Sequence, residues 1–233
     1  KQAEEYRGLG FGVVLSHSSD GIVRGTGTLV SLSDEKEQKS MMSAKSASYF
    51  SFNKGVSSQK YPSSLMGSIA LLKQLFLDSY WYENTQKTTN ISFNEFNNQL
   101  GLTHIFKSSL ATDYNRIYKI SDEFEIDFIV KGNGKEYEII DEIKTYNFPI
   151  ILPLNFPLKY EINNPEESNI LTLSKLKHWE TAPFNARILS ENNIDFCFTI
   201  FDLKKKSDFL KNIRISIEKG LNKYDALDAL TIV

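Results

Sequence analysis

Short apolar runs alternate with segments of helical periodicity through the middle of the chain. Three of these runs are rich in β-branched or aromatic residues and bounded by turn residues, which is typical of strands: residues 103–107, 126–131 and 149–155. The spacing between them leaves room for one helix each. The pattern therefore predicts βα units that feed a parallel sheet.

The flanking regions extend this rhythm. Residues 9–15 and 28–32 predict two more strands separated by a glycine-rich turn at 21–27, and residues 194–200 predict a last strand. Helical spacing of apolar residues predicts helices that contain Leu65 to Phe76, Ile117 to Phe124, Tyr137 to Ile143, Trp179 to Ile188, Phe209 to Ile217, and Tyr224 to Leu230. The polar segment 33–60 predicts a surface excursion.

The strand count bears on the fold class. Six or seven strands fall short of the eight that close a (β/α) barrel, for which about 250 residues is typical. Either a strand lies upstream of Lys1 or the sheet is open. Because the chain starts without a methionine inside a helix-like segment, we favour the first alternative.

Composition narrows the classes of partner. The 233 residues include 41% apolar and 24% charged residues, so the chain is large enough to bury a sizeable core. A formal net charge of -2 gives no basic footprint for a nucleic acid, and no stretch approaches the roughly 20 apolar residues that span a bilayer. We therefore expect neither a nucleic-acid partner nor a membrane span.

Polar residues at the predicted strand ends are the candidates for chemistry. The three central strands end at Lys107, Lys131 and Asn155. In α/β proteins, catalytic and ligand-binding residues lie at these strand ends. The loop 132–135, which contains Asn133 between two glycines, fits either a phosphate cradle or a tight βα turn.

The three histidines are too dispersed in the sequence for a metal-binding motif. We expect His104 to be buried for structural reasons. His17 follows a strand and is the better functional candidate, although a loop histidine with satisfied hydrogen bonds fits as well.

Several strings are specific enough to indicate a family. The chain resembles the imidazolonepropionase-like amidohydrolases of Bacteroidetes in residues 25–27, 61–67, 153–157, 176–180 and 220–227. The resemblance implies one (β/α)8 TIM-barrel domain over residues 1–233 that is incomplete at its first strand. It also implies hydrolysis of carbon-nitrogen bonds by metal-activated water, and a periplasmic or secreted setting.

The chain departs from the amidohydrolase superfamily at the positions of the metal ligands. The superfamily holds Zn²⁺ or another divalent ion with a His-x-His pair, further histidines after the fifth and sixth strands, and an aspartate after the eighth. This chain has no His-x-His, and the resemblance puts Lys131 and Asn155 at the fifth and sixth strand exits. Lys107 lies at the fourth-strand exit, where the superfamily has a bridging lysine or glutamate, and either Asp202 or Phe201 falls at the aspartate position. We therefore expect no metal or other cofactor in this chain.

Two hypotheses follow for the function. The first is a hydrolase of carbon-nitrogen bonds whose metal-binding pair lies upstream of Lys1 and whose remaining ligands differ from the usual set. The second is a metal-free barrel that binds a small molecule or serves as a structural module. For either, we predict a pocket for an anionic ligand lined by Lys107, Lys131, Asn133, Asn155, Asp202 and His17. The sequence is compatible with a homo-oligomer and does not determine the oligomeric state.

Overall fold

The computed structural model describes residues 2–34, 37–85, 89–160 and 171–231. The chain divides into two units. Unit 1 consists of Lys1–Ser109 and Asn115–Val130, and unit 2 of Leu110–Tyr114 and Lys131–Val233. The expectation of a single domain stays a prediction.

Unit 1 contains a sheet of mixed direction. Its strands are β1 (Val13–Ser16), β2 (Val23–Ser31), β3 (Met41–Ser51), β4 (Thr103–Lys107) and the first three residues of β5 (Phe128–Lys131). β2 pairs antiparallel with both β1 and β3, whereas β3 and β4 are parallel. The prediction of a (β/α)8 barrel missing only its first strand is therefore wrong, since such a barrel has only parallel neighbours.

The connection lengths explain the difference. A parallel crossover needs about a dozen residues or more, and the links 17–22 and 32–40 are shorter. The link from β3 to β4 is long enough to contain two helices, α3 (Leu65–Thr85) and α4 (Ile91–Gln99). α2 (Glu37–Ser40) is a single turn between β2 and β3.

Strand β3 also corrects the predicted surface excursion at 33–60. Residues 47–51 of this strand are buried. The sequence hid the strand because serines occupy several of its positions, so no apolar alternation marks it. The predicted turn at 21–27 is likewise wrong in part, since β2 begins at Val23.

The core of unit 1 is aromatic. Phe50 of β3 contacts Phe76 of α3, Phe106 of β4 and Phe128 of β5, with ring centroids 5.8–6.3 Å apart. α3 contributes the fully buried Leu72 and confirms the predicted helix. The remaining helices of unit 1 are α1 (Gln2–Gly8) and most of α5 (Asp113–Phe124).

Unit 2 joins two parallel strands to several helices. β6 (Ile150–Pro153) and β7 (Phe196–Thr199) pair with Ile150 opposite Phe196 and Leu152 opposite Phe198. The helices are α6 (Ile140–Tyr146), α7 (Leu173–Thr181), α8 (Asn185–Glu191), α9 (Phe209–Glu218) and α10 (Lys223–Thr231), with 3-10 turns at Glu136–Ile139, Ala182–Phe184 and Lys206–Asp208. Pro183 lies in the turn that separates α7 from α8.

None of the helices in the described part of the chain combines the length and the apolar composition that crossing a bilayer requires.

Candidate functional site: the strand ends of unit 2

Lys131 links the ends of two strands in unit 2. It is the last residue of β5 and is half-buried, and its Nζ atom lies 3.9 Å from the ring centre of Phe201, two residues beyond β7. A cation over an aromatic face contributes about 0.5–2 kcal/mol, depending on how far it is desolvated. The contact gives the ammonium group a defined position beside the end of β7.

Asn155 lies near the same end of β5. It follows β6 by two residues, and a Cβ atom added to Gly134 would lie 2.7 Å from its Oδ1 atom. Gly134 has a φ of +86°, which favours glycine. Asn212 of α9 donates to the Leu154 carbonyl at 2.7 Å and so fixes the chain just before Asn155.

The loop 132–135 uses its own N–H groups internally. Gly132 donates to the Ile151 carbonyl at 3.0 Å, and Lys135 donates to Asn133 Oδ1 at 3.0 Å. The N–H groups of Asn133 and Gly134 donate to Oε1 of Glu136 at 2.8 and 3.2 Å. The loop is therefore a tight turn closed by a carboxylate, and its N–H groups are not directed at an external phosphate.

Glu136 is the centre of a buried cluster. Its side chain is 0% exposed, and besides the two loop N–H groups it accepts from the hydroxyl of Tyr114 at 3.1 Å and from Nδ2 of Asn185 at 2.6 Å. The buried carboxylate and burial itself both raise the pKa of Tyr114 well above its ordinary value, burial being the larger cause. Tyr114 thus stays a neutral donor.

The sequence reasoning missed all three members of this cluster. The one local signal is an acidic residue two positions after a Gly-x-Gly turn, where backbone N–H groups attract an anion. Asn185 also accepts from the N–H of Tyr137 through Oδ1 at 3.0 Å. Its amide is therefore oriented from both sides.

The predicted pocket residues fall into both units. Lys131, Asn133, Asn155 and Asp202 belong to unit 2. Asp202 is exposed, has a φ of +62° and directly follows Phe201. The contacts of Lys131 with Phe201 and of Asn155 with the loop 132–135 bring the ends of β5, β6 and β7 together.

Lys107 and His17 belong to unit 1. Lys107 ends β4 opposite Ser51 of β3 and is half-buried. The ring of His17 stacks on Tyr49 with centroids 3.6 Å apart, and its Nδ1 atom donates to the Ser18 carbonyl at 2.6 Å. The stacking and the hydrogen bond explain the position of the His17 side chain without requiring a catalytic or binding role.

His104 confirms the expectation of structural burial. It is 6% exposed, its Nδ1 atom lies 2.5 Å from the hydroxyl of Ser48, and its Nε2 atom donates to the Leu100 carbonyl at 3.1 Å. Burial is the main cause that lowers the pKa of His104 below 6.5. The side chain is thus held neutral between β3 and β4.

A shallow groove of about 530 Å³ lies elsewhere in unit 2. The side chains that line it include Tyr137, Leu173 and Lys177 but no strand-end residue. Tyr137 shares a hydrogen bond of 2.9 Å with Nδ1 of His178, and burial raises the pKa of Tyr137 to about 12. This groove is separate from the strand-end residues described above.

The donor set does not suit a divalent metal. Over residues 2–34, 37–85, 89–160 and 171–231, no three His, Cys, Asp or Glu side chains form a group that could hold one. The β5 end carries an ammonium group, which repels a cation, and the β6 end carries an amide, which is a weak ligand.

The fold has a known counterpart. No protein-family model and no curated protein matches the chain. A solved structure of an amidohydrolase from Thermotoga maritima superposes with a TM-score of 0.72 at 14% sequence identity, over 96% of this chain. The chain spans 60% of the length of that structure. The chain therefore has an amidohydrolase-like fold, which is the coarser part of the resemblance described above.

Proposed function

We propose that this chain is part of an amidohydrolase-superfamily protein that hydrolyses carbon-nitrogen bonds other than peptide bonds. The proposal is supported by the shared fold over 96% of the chain and by the polar residues at the strand ends of unit 2. Ligands of open α/β sheets and barrels bind outside the carboxyl ends of strands.

Lys131 is the residue on which the proposed ligand class depends. Its ammonium group is oriented by Phe201, and Asn155 near the same strand end offers an amide donor and acceptor. We propose that the two residues bind a small molecule that joins a ring amide to a carboxylate. A charge-assisted hydrogen bond of this type contributes about 1.5–3 kcal/mol.

The finer assignments rest on the sequence resemblance. We propose an imidazolonepropionase-like protein of the Bacteroidetes type, because that activity also combines a ring amide with a carboxylate. A periplasmic or secreted location is proposed on the same basis. Cell fractionation with an antibody to this chain tests it, and a purely cytoplasmic signal would contradict it.

The divalent metal of the amidohydrolases that the chain resembles does not fit the described residues. This disagreement favours a second candidate function, a metal-free protein that binds a small molecule without hydrolysing it. The ammonium group of Lys131 at the end of β5 is the observation in its favour. Metal analysis of the purified full-length protein separates the two. A stoichiometric divalent ion contradicts the metal-free function, and an ion-free, inactive protein contradicts the hydrolase.

A matched pair of ligands tests the binding site. Pyroglutamate carries a carboxylate on a five-membered lactam, and 2-pyrrolidinone is the same ring without it. We expect pyroglutamate to bind more tightly than 2-pyrrolidinone. Lys131→Met should weaken the binding of pyroglutamate about tenfold and leave the binding of 2-pyrrolidinone unchanged. Methionine preserves packing against Phe201.

Lys204→Ala is the control, since Lys204 is exposed in a loop of unit 2. It should leave both affinities unchanged in calorimetry or ligand-observed NMR. Equal binding of pyroglutamate by the wild type and by Lys131→Met would show that the anion site is wrongly placed.

A further inference from the structure

We infer that Glu136 is the positioning residue of the strand-end site in unit 2. Its carboxylate fixes the loop 132–135. The loop in turn determines the positions of Lys131 and Asn155 relative to a ligand. The part of this inference that concerns a ligand rests on the proposed function. The part that concerns the loop stands on the structure alone.

The carboxylate joins three segments of unit 2. It accepts from the loop at Asn133 and Gly134, from Tyr114 at the start of α5, and from Asn185 at the start of α8. All four donors are neutral. The charge is thus stabilised by converging dipoles, as in the anion-binding concavities that successive N–H groups form.

The close approach of the loop makes this arrangement specific. A Cβ atom on Gly132 would lie 2.2 Å from Oε1 of Glu136, and one on Gly134 would lie 2.7 Å from Oδ1 of Asn155. The loop therefore packs against the carboxylate on one side and against Asn155 on the other. A shift of the Glu136 side chain therefore moves the loop, and the loop in turn displaces the side chain of Asn155.

The internal carboxylate also limits which ligand can bind. Because it accepts the N–H groups of Asn133 and Gly134, these groups cannot hold a ligand's anion at the same time. An external anion must be recognised by side chains, and Lys131 supplies a cation at this strand end. This is why a carboxylate paired with one ammonium group suits the site better than a phosphate cradled by the loop.

A charge swap between two contacting residues tests the inference. Glu136→Gln turns the 2.6 Å contact with Asn185 into two facing amide donors, and Asn185→Asp turns it into two facing carboxylates. In the double variant the amide at position 136 donates to the carboxylate at position 185. The second oxygen at position 185 still accepts from the N–H of Tyr137.

Amide hydrogen exchange of the full chain reports on the loop. We expect exchange at Asn133 and Gly134 to rise about tenfold or more in each single variant and to return to near the wild-type rate in the double variant. Pyroglutamate affinity should fall and recover in the same order. Should Glu136→Gln fail to fold, rescue by the double variant carries the same information.

The outcomes separate the inference from the proposed function. Unchanged exchange in Glu136→Gln, or a double variant as perturbed as the single ones, overturns the role of Glu136. If the wild type does not bind pyroglutamate, the proposed function fails, whereas the exchange series still decides whether Glu136 fixes the loop. Normal exchange recovery without recovery of affinity would overturn the link between the loop and the ligand.

Discussion

The buried polar cluster around His104 in unit 1 and the one around Glu136 in unit 2 differ in charge and in place. In unit 1, His104 of β4 lies opposite Ser48 of β3, its partner in the strand register. In unit 2, Glu136 lies after β5 and gathers donors from three segments. His104 is neutral with two hydrogen-bond partners, and Glu136 is a carboxylate with four.

The difference indicates what each cluster does. A neutral side chain matched to its neighbour in a sheet stabilises the pairing and needs nothing else. A buried carboxylate is costly unless several donors converge on it, so it specifies the geometry of every segment that supplies one. The first cluster supports the sheet, and the second shapes a loop at the strand ends where we propose that a ligand binds.

Gly132→Ala should break the cluster of unit 2 with the largest effect. The added Cβ would lie 2.2 Å from the Glu136 carboxylate, which must then leave its donors. We expect a loss of about 3 kcal/mol or more in the free energy of unfolding, measured by urea denaturation. Gly101→Ala is the control, because its Cβ would meet nothing within 4 Å. Equal losses in both variants would contradict the close approach.

Tyr114→Phe removes one donor and keeps the carboxylate. The hydroxyl donates to Glu136 at 3.1 Å in a fully buried position, and a hydrogen bond to a charged group contributes about 1.5–3 kcal/mol. We expect a thermal shift of corresponding size. Tyr80→Phe, which alters an exposed side chain, should leave the melting temperature unchanged. No shift in Tyr114→Phe would mean that three donors suffice.

Ser48→Ala tests the cluster of unit 1 and should cost less. It removes a neutral partner of His104, for which about 0.5–1.5 kcal/mol is typical. The urea midpoint measures the change. A loss larger than that of Tyr114→Phe would reverse the comparison between the two clusters.

Acid should destabilise unit 1 slightly through His104. Burial lowers its pKa in the folded state below the value of 6.5 for an unfolded chain. Above pH 6.5 both states are neutral and this contribution to stability is fully present. As the pH falls from 6.5 toward the folded pKa, the unfolded state binds the proton first and stability decreases. The difference in unfolding free energy between the wild type and His104→Gln should show this fall, and a flat difference would contradict it.

The sequence predicted the central strands well and the first strands poorly. β4 matches the prediction residue for residue, and β5 and β6 lie within theirs, because short β-branched runs between turn residues are a local signal. β3 carries serines where apolar residues would mark a strand. The short links that explain the antiparallel pairing of β1, β2 and β3 follow only from the observed strand bounds.

The candidate site was predictable only in part. Lys131 and Asn155 stood out because they follow strands, and contacts with Phe201 and Gly134 bring their strand ends together. Residues 90–92 read Asn-Ile-Ser, which matches a glycosylation acceptor pattern, but in the structure the Asn90 side chain accepts from the N–H groups of Ser92 and Phe93 and caps α4. A short motif does not distinguish a cap from a modification site.

The sequence by itself determined where the central strands and the long helix α3 form, because their periodicity depends on residues a few positions apart. The tertiary structure alone decided that Glu136 meets Tyr114 and Asn185, which lie 22 and 49 positions away along the chain. No local pattern encodes such a meeting. The packing of the helices over the strands decides which polar groups are buried together. Only that packing makes the Glu136 carboxylate the centre of the buried cluster.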